Sequence, residues 1–215
     1  MDKIDQFIAE LAKEESTSKL TNVYSPMEVQ SEICRHNLSL YLHRVIENNS
    51  KVMLVGEAPG YHGCRLSGIA FTCEYDYTID VIPGLIGKGL GYKIFSEDKP
   101  EYELSASIVW PKLQEWYKLS HTTPMLWNIC PFHPHAEGNV MSNRTPTTKK
   151  VQRGVRHFMA LLEMFDIKHI GCIGKKSDMM VEQLGLPHTY LRHPSCGGIN
   201  KFRTMIDEFR ERIAK

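Results

Sequence analysis

Apolar and polar positions alternate along this chain in two distinct rhythms. Three short runs are apolar almost without interruption, Val52 to Val55, Met125 to Ile129 and His169 to Ile173, and a fourth short run, Thr189 to Arg192, mixes apolar and polar residues. Each runs into a turn rich in Gly, Pro or polar residues, which predicts buried strands. Between and around them lie stretches whose apolar residues recur at three and four positions, the mark of a helix with one buried face. Asp2 to Glu15 carries Ile4, Phe7, Ile8 and Leu11 in this way. Pro26 to Asn48 does so with Val29, Ile33, Leu40, Val45 and Ile46 as its buried side, and Ser105 to Leu119 with Ile108, Val109, Leu113, Trp116 and Tyr117. Pro111 is expected in the first turn of the latter, where proline is tolerated. Pro146 to Phe165, Ser177 to Leu184 and Phe202 to Ile213 complete the set. Strands alternating with helices predict a three-layer α/β/α sandwich around a central, mostly parallel four-stranded sheet.

Two segments escape this pattern. Ser16 to Ser25 is polar and reads as a linker, while Tyr61 to Pro100 combines many Gly and Pro residues with clustered tyrosines at 75, 77 and 92. A long irregular segment in a compact domain is often a functional loop. The chain has 215 residues, enough for one sizeable core. The organisation expected is a helical extension over residues 1–50, packed on the same domain that residues 51–215 form.

Composition narrows the class without naming a chemistry. Charged residues at 24% and hydrophobic ones at 42% are ordinary for a globular protein. No apolar run is long enough to cross a membrane and the start, MDKIDQ, is polar, so a cytoplasmic protein without membrane contact is expected. The six cysteines, at 34, 64, 73, 130, 172 and 196, have no zinc-finger spacing and read as free thiols. Cys196 stands three residues from His193, but no helix or base evident in the sequence would activate it as a nucleophile. The net charge of +1 conceals an asymmetry: residues 1–148 hold 13 basic against 18 acidic residues, and residues 149–215 hold 13 against 7. A basic C-terminal third suits contact with a phosphate backbone, although a solvated helix face would look the same.

Chemistry concentrates at three strand ends. The first strand ends in Gly56-Glu57-Ala58-Pro59-Gly60, the second in Asn128 within LWNICPFHP, and the fourth in His193-Pro194-Ser195. In a parallel sheet all three ends share one edge, where ligands bind.

These residues resemble the uracil-DNA glycosylase superfamily. GEAPG at 56 to 60 and HPS at 193 to 195 are similar to its first and last motifs. Asn128, the stretch Asn143-Arg144-Thr145-Pro146-Thr147 and Gly68-Ile69-Ala70-Phe71 are similar to elements of its iron–sulfur branch. The resemblance covers roughly residues 51 to 203 and implies a monofunctional enzyme that hydrolyses the N-glycosidic bond of uracil or a related damaged base in DNA. It implies that Phe71 stacks on an extruded base, that Asn128 reads its edge, and that Gly56 and Ala58 line it. His193 would stabilise charge on the departing base and Glu57 would act on water. Ser195, Gly197, Gly198 and Lys201, with Arg203 just beyond, would contact phosphates. The partner implied is DNA with a flipped-out base, with no obligate protein partner, no metal and no cofactor.

The sequence also departs from the superfamily's best-known pattern. Ala58 stands where that branch has an aspartate acting on water, and Gly60 where a tyrosine excludes the thymine methyl group, with Tyr61 as the neighbouring ring. Gly197 stands where an apolar wedge enters the duplex, with Ile199 and Phe202 as the nearest substitutes. Cys34 has no closely spaced partner, so no iron–sulfur cluster is expected. These departures motivate a second reading, a catalytically silent protein of the same fold that binds nucleic acid or nucleobase. A hydrolase of small nucleosides is a third.

Overall fold

The computed structural model of the protein describes residues 2–96 and 98–214. In chain order its elements are α1 (Lys3–Ala12), β1 (Leu20–Thr21), α2 (Ser31–Asn48), β2 (Val52–Gly56) and α3 (Cys64–Ser67). A 3-10 turn (Glu74–Tyr77) and the strands β3 (Asp80–Ile82) and β4 (Ile86–Gly87) follow. Then come α4 (Ala106–Ser120), β5 (Met125–Asn128), β6 (His133–Pro134), α5 (Thr148–Met164), β7 (His169–Ile173), α6 (Lys175–Gln183), β8 (Thr189–Leu191) and α7 (Ile199–Ile213).

The central sheet has the order β5-β2-β7-β8 and every pairing in it is parallel. All residues of β2 and β5 are buried, as a parallel sheet covered on both faces requires. Helices α4 and α7 share one face, with Trp116 edge-on to Phe209 at 6.1 Å and Phe209 over the Leu54 side of the sheet. On the other face Phe7 of α1 packs edge-on against Trp127 of β5 at 5.8 Å and against His157 of α5 at 5.9 Å. Glu14 ties the end of α1 to α5 through Arg153 at 2.9 Å and Arg156 at 2.6 Å. The expected α/β/α sandwich around four parallel strands is therefore the architecture found.

Several local expectations are corrected. The segment from 16 to 25 is no linker: Leu20 and Thr21 pair antiparallel with Pro134 and His133, and Val23 and Tyr24 are buried. Val29 and Ile46, placed on the buried side of the second helix, are 86% and 55% exposed. The helix starts five residues after Pro26, so Val29 precedes it, and Leu38, Tyr41, Leu42 and Val45 form the inward face. Pro111 is the sixth residue of α4, beyond its first turn; the helix persists because Val109, Trp110, Leu113 and Trp116 are all buried around it.

The irregular region after β2 is anchored by one carboxylate. Glu74, wholly buried, accepts from the backbone N–H groups of Phe95 (2.6 Å), Ser96 (3.0 Å) and Glu101 (3.1 Å). Tyr77 and Tyr92 stack face to face at 4.6 Å, which fixes the same loop from its other end.

The edge of the sheet is closed by a side chain. The Leu126 N–H of β5 donates to the hydroxyl of Tyr41, itself fully buried in α2. Tyr41→Phe should leave that N–H without a partner in the interior and cost about 1–3 kcal/mol of stability. The check is the urea midpoint; an unchanged midpoint would contradict this role for the hydroxyl.

Candidate active site

The candidate residues meet because of strand register. In the β2–β5 ladder Gly56 sits directly opposite Asn128, so the end of one strand delivers the turn carrying Glu57 beside the amide delivered by the other. Backbone bonds extend the pairing past the strands: Ile129 N–H donates to the Gly56 carbonyl at 2.9 Å, and Cys130 N–H to that of Glu57 at 3.0 Å. Gly174 follows β7 and His193 follows β8, at the same edge. There the chain encloses a cavity of about 690 Å³ whose walls include Glu57, Ala58, Gly60, Phe71, Asn128, His193 and Ser195.

Phe71 holds a left-handed backbone conformation, φ 52°, which is costly for a residue with a side chain and turns its ring onto Gly56. A Cβ on Gly56 would lie 2.5 Å from the Phe71 ring and 2.6 Å from Asn128 Oδ1, so only glycine lets ring and amide approach the same point. Asn128 is 5% exposed, and its amide is a neighbour of the Cys64 thiol. The Phe71 and His193 rings are 6.3 Å apart and inclined by 39°.

The His193 turn is shaped by its own neighbours. Ser195 donates its backbone N–H to His193 Nδ1 at 3.1 Å, and its hydroxyl lies 2.8 Å from the same nitrogen. A nitrogen that accepts an N–H carries no proton, so the neutral ring holds its proton on Nε2. Burial, reinforced by the Arg192 guanidinium, holds the imidazole below its ordinary pKa. Arg192 folds back over the turn and donates to the carbonyls of His193 (2.9 Å), Ser195 (3.2 Å) and Cys196 (3.3 Å). A Cβ on Gly198 would lie 2.0 Å from the His193 carbonyl oxygen, so this residue closes the turn.

Glu57 is half-buried, and burial pushes its carboxyl above the usual glutamate value. The Lys176 ammonium and a hydrogen bond from the Thr145 hydroxyl oppose that rise. The loop that brings Thr145 is fixed by Asn143, whose Oδ1 accepts from Tyr61 N–H at 3.0 Å, and by His133, wholly buried, whose ring nitrogens lie 2.8 Å from the Pro59 carbonyl and 2.9 Å from that of Val140.

Glu57, Ala58, Phe71, Asn128, His193 and Ser195 thus face one cavity, and Gly56 forms the floor beneath Phe71 and Asn128. Gly197 and Lys201 are exposed beyond its rim. The N–H of Gly198 is already donated to the Ser195 carbonyl at 3.1 Å, which removes it as a phosphate donor. Neither apolar substitute is free to act as a wedge: Phe202 is wholly buried, and Ile199 is half-buried against the core. The walls also hold Glu103, Ser105, Arg144, Lys175 and Arg192, to which the sequence reading assigned no role. Arg144 lies inside the quoted N-R-T-P-T stretch and could have been found there; Glu103 and Ser105 follow no strand and carry no such signal.

The family model of the Uracil DNA glycosylase superfamily matches residues 43–214. The chain belongs to that superfamily. The match begins within α2 and takes in the whole sheet and every wall of the cavity. No curated protein sequence matches the chain. Superfamily membership supports a DNA glycosylase type of function in general terms and makes DNA a plausible partner. No described helix is long and apolar enough to cross a membrane. Among the described residues no group of His, Cys, Asp and Glu side chains could hold a metal ion, and the thiols of Cys34, Cys64, Cys73, Cys130 and Cys172 are buried, with Cys196 exposed.

The tautomer can be tested directly. Nitrogen-15 NMR of the imidazole should show the Nε2–H form of His193 at neutral pH and protonation only below the ordinary histidine value of 6.5. A predominant Nδ1–H signal would contradict the hydrogen bonding given above.

Proposed function

We propose that the protein is a monofunctional DNA glycosylase that hydrolyses the N-glycosidic bond of uracil or a related deaminated or damaged base. The observation that carries this reading is the convergence of Glu57, Phe71, Asn128 and His193 on one cavity at the carboxyl edge of a parallel sheet. An extruded uracil stacks on the Phe71 ring. Asn128 accepts the uracil N3–H at Oδ1 and donates from Nδ2 to O4, a pattern that cytosine, with an acceptor at N3 and a donor at C4, inverts. As the C1′–N1 bond lengthens, negative charge grows on the base and the His193 Nε2–H donates to O2. A neutral donor suits this task because the departing group is itself only weakly basic. Glu57, ionised, faces the cationic sugar and orients a water whose oxygen attacks C1′; the proton passes to the carboxylate.

Gly197 has no side chain to fill the gap that an extruded base leaves in a duplex. The favoured substrate is therefore unpaired uracil, for which no stacking or pairing is lost. Arg144, Lys175 and Lys201 supply positive charge around the entrance for the phosphates.

Oligonucleotides containing uracil, followed by alkali cleavage at abasic sites, test the reading. Single-stranded uracil should be released faster than uracil in a duplex, and Glu57→Gln should lower the rate by about 10²- to 10⁴-fold. Absence of cleavage on uracil, hypoxanthine and xanthine alike would refute it. In that event the silent binding protein, which Ala58 and Gly197 favour, should show salt-sensitive DNA binding unaffected by Glu57→Gln.

The pH profile is a separate prediction. Because the Glu57 pKa is raised above 4.5, its ionised and active form is lost as pH falls through that higher value. The acid limb of kcat/KM should consequently lie above where an ordinary glutamate would put it, and should be missing from the residual activity of Glu57→Gln.

A further inference from the structure

Two aromatic rings stand in water beside the cavity mouth and take no part in the proposed reaction. Tyr75 is 42% exposed and Tyr102 54%, and their centroids are 5.8 Å apart with the rings inclined by 73°. An edge-to-face pair of this kind covers one of its four ring faces and leaves the others to a further partner. Leu104, exposed as well, extends the apolar surface toward α4.

The rings are firmly mounted. Tyr75 belongs to the 3-10 turn Glu74–Tyr77, in which Glu74, Asp76 and Tyr77 are all buried. Its N–H donates to the Glu101 carbonyl at 3.0 Å, and Glu101 N–H donates to the buried Glu74 carboxylate at 3.1 Å. The chain is thus pinned one residue before Tyr102, and little backbone freedom is left for a ligand to freeze. Tyr102 in turn precedes Glu103, which lines the cavity together with Ser105. Consecutive Cα atoms are about 3.8 Å apart, so the neighbour of a base held in the cavity comes within reach of the ring.

Local charge decides which part of a strand this surface takes. Carboxylates flank Tyr102 on both sides: Glu101, bonded to His62 Nδ1 at 2.6 Å, and Glu103, which accepts the Ala106 N–H at 2.7 Å. Such neighbours repel a phosphate but not the face of a neutral base. The cationic groups of the mouth, Arg144, Lys175 and Arg192, come from other segments. Backbone and bases are therefore offered separate surfaces, and an aromatic ring accepts any base because every base has a π-face.

We propose that Tyr102, with Tyr75 edge-to-face against it, is a stacking subsite for the base adjacent to the extruded one. The ligand is an unpaired nucleobase of the same strand, whatever its sequence. This inference rests on the glycosylase reading for the entry of that strand into the cavity and adds a contact outside it.

The test is a binding cycle followed by fluorescence anisotropy. The probe is a labelled single-stranded oligonucleotide with one 2′-fluoro-2′-deoxyuridine, whose fluorine disfavours a cationic sugar and so slows cleavage. Replacing each flanking base in turn by hydrogen keeps every phosphate. At one flanking position this should weaken binding to the wild-type protein about 5- to 150-fold, the worth of one base–aromatic stack. Tyr102→Ala should weaken binding of the intact probe by a similar factor and then be insensitive to loss of that base. Its salt dependence should stay that of the wild type, because no phosphate contact is removed. Tyr102→Phe, which keeps the ring, should bind as the wild type does, and a thermal midpoint within a few degrees of wild type will show that each variant is folded. Undiminished binding by Tyr102→Ala, or a loss that is the same whichever flanking bases are present, would overturn the subsite. Uracil release from the unmodified oligonucleotide judges the glycosylase reading separately. Release without the coupling removes the subsite alone, the coupling without release removes the reading alone, and failure to bind DNA removes both.

Discussion

The pairing of Gly56 with Asn128 across two parallel strands is the contact on which the rest of the site depends. Side chains in a strand alternate between faces, so a slip of one residue in that ladder would turn the Asn128 amide to the opposite side of the sheet. Correct register also requires a void at position 56, because the Phe71 ring and the Asn128 amide occupy the space that any Cβ would fill. The strained backbone of Phe71 follows from the same requirement. One missing methyl group thus permits a stacking surface and a hydrogen-bonding edge to converge on a single point.

On the opposite side of the cavity the geometry is set by a cation rather than by a void. Arg192 holds three carbonyl oxygens of the turn that follows β8, and the turn in turn commits the Nδ1 of His193 to a backbone donor. The turn thus sets the orientation and tautomer of the imidazole, while burial, with the Arg192 guanidinium adding to it, depresses its basicity. Glu57 experiences the reverse combination, a half-buried carboxyl whose rise in pKa is limited by a lysine and a threonine hydroxyl. The two pKa values move in opposite directions, yet both shifts favour the uncharged form: the carboxyl is protonated more readily, and the imidazole less readily, than in water.

Much of this was legible in the sequence because buried parallel strands write themselves as unbroken apolar runs, and a polar residue at the end of such a run has few structural reasons to be there. Glu57, Asn128 and His193 announce themselves in that way. Pairing between distant segments is not written locally: nothing in Leu20 and Thr21 reveals that they meet His133 and Pro134. The exposed Val29 and Ile46 show the converse, since helical spacing gives the stripe but not which of its ends the core reaches. Phe202 looked available near the last motif, yet α7 begins three residues before it and turns its ring into the core. Glu103, in an irregular segment, has no periodicity to single it out; only the folded approach to α4 brings it to the cavity.

That path is held by Glu74, whose two oxygens gather three backbone amides from a stretch without regular structure. A carboxylate that binds main chain is indifferent to which side chains the bound segment carries. The region that supplies Glu103 and Ser105 can consequently exchange side chains while its course stays the same, and the strands that deliver Glu57, Asn128 and His193 are not disturbed by such exchanges. The main chain around the cavity therefore rests on two separate supports, the strand ladder on one side and a buried carboxylate on the other.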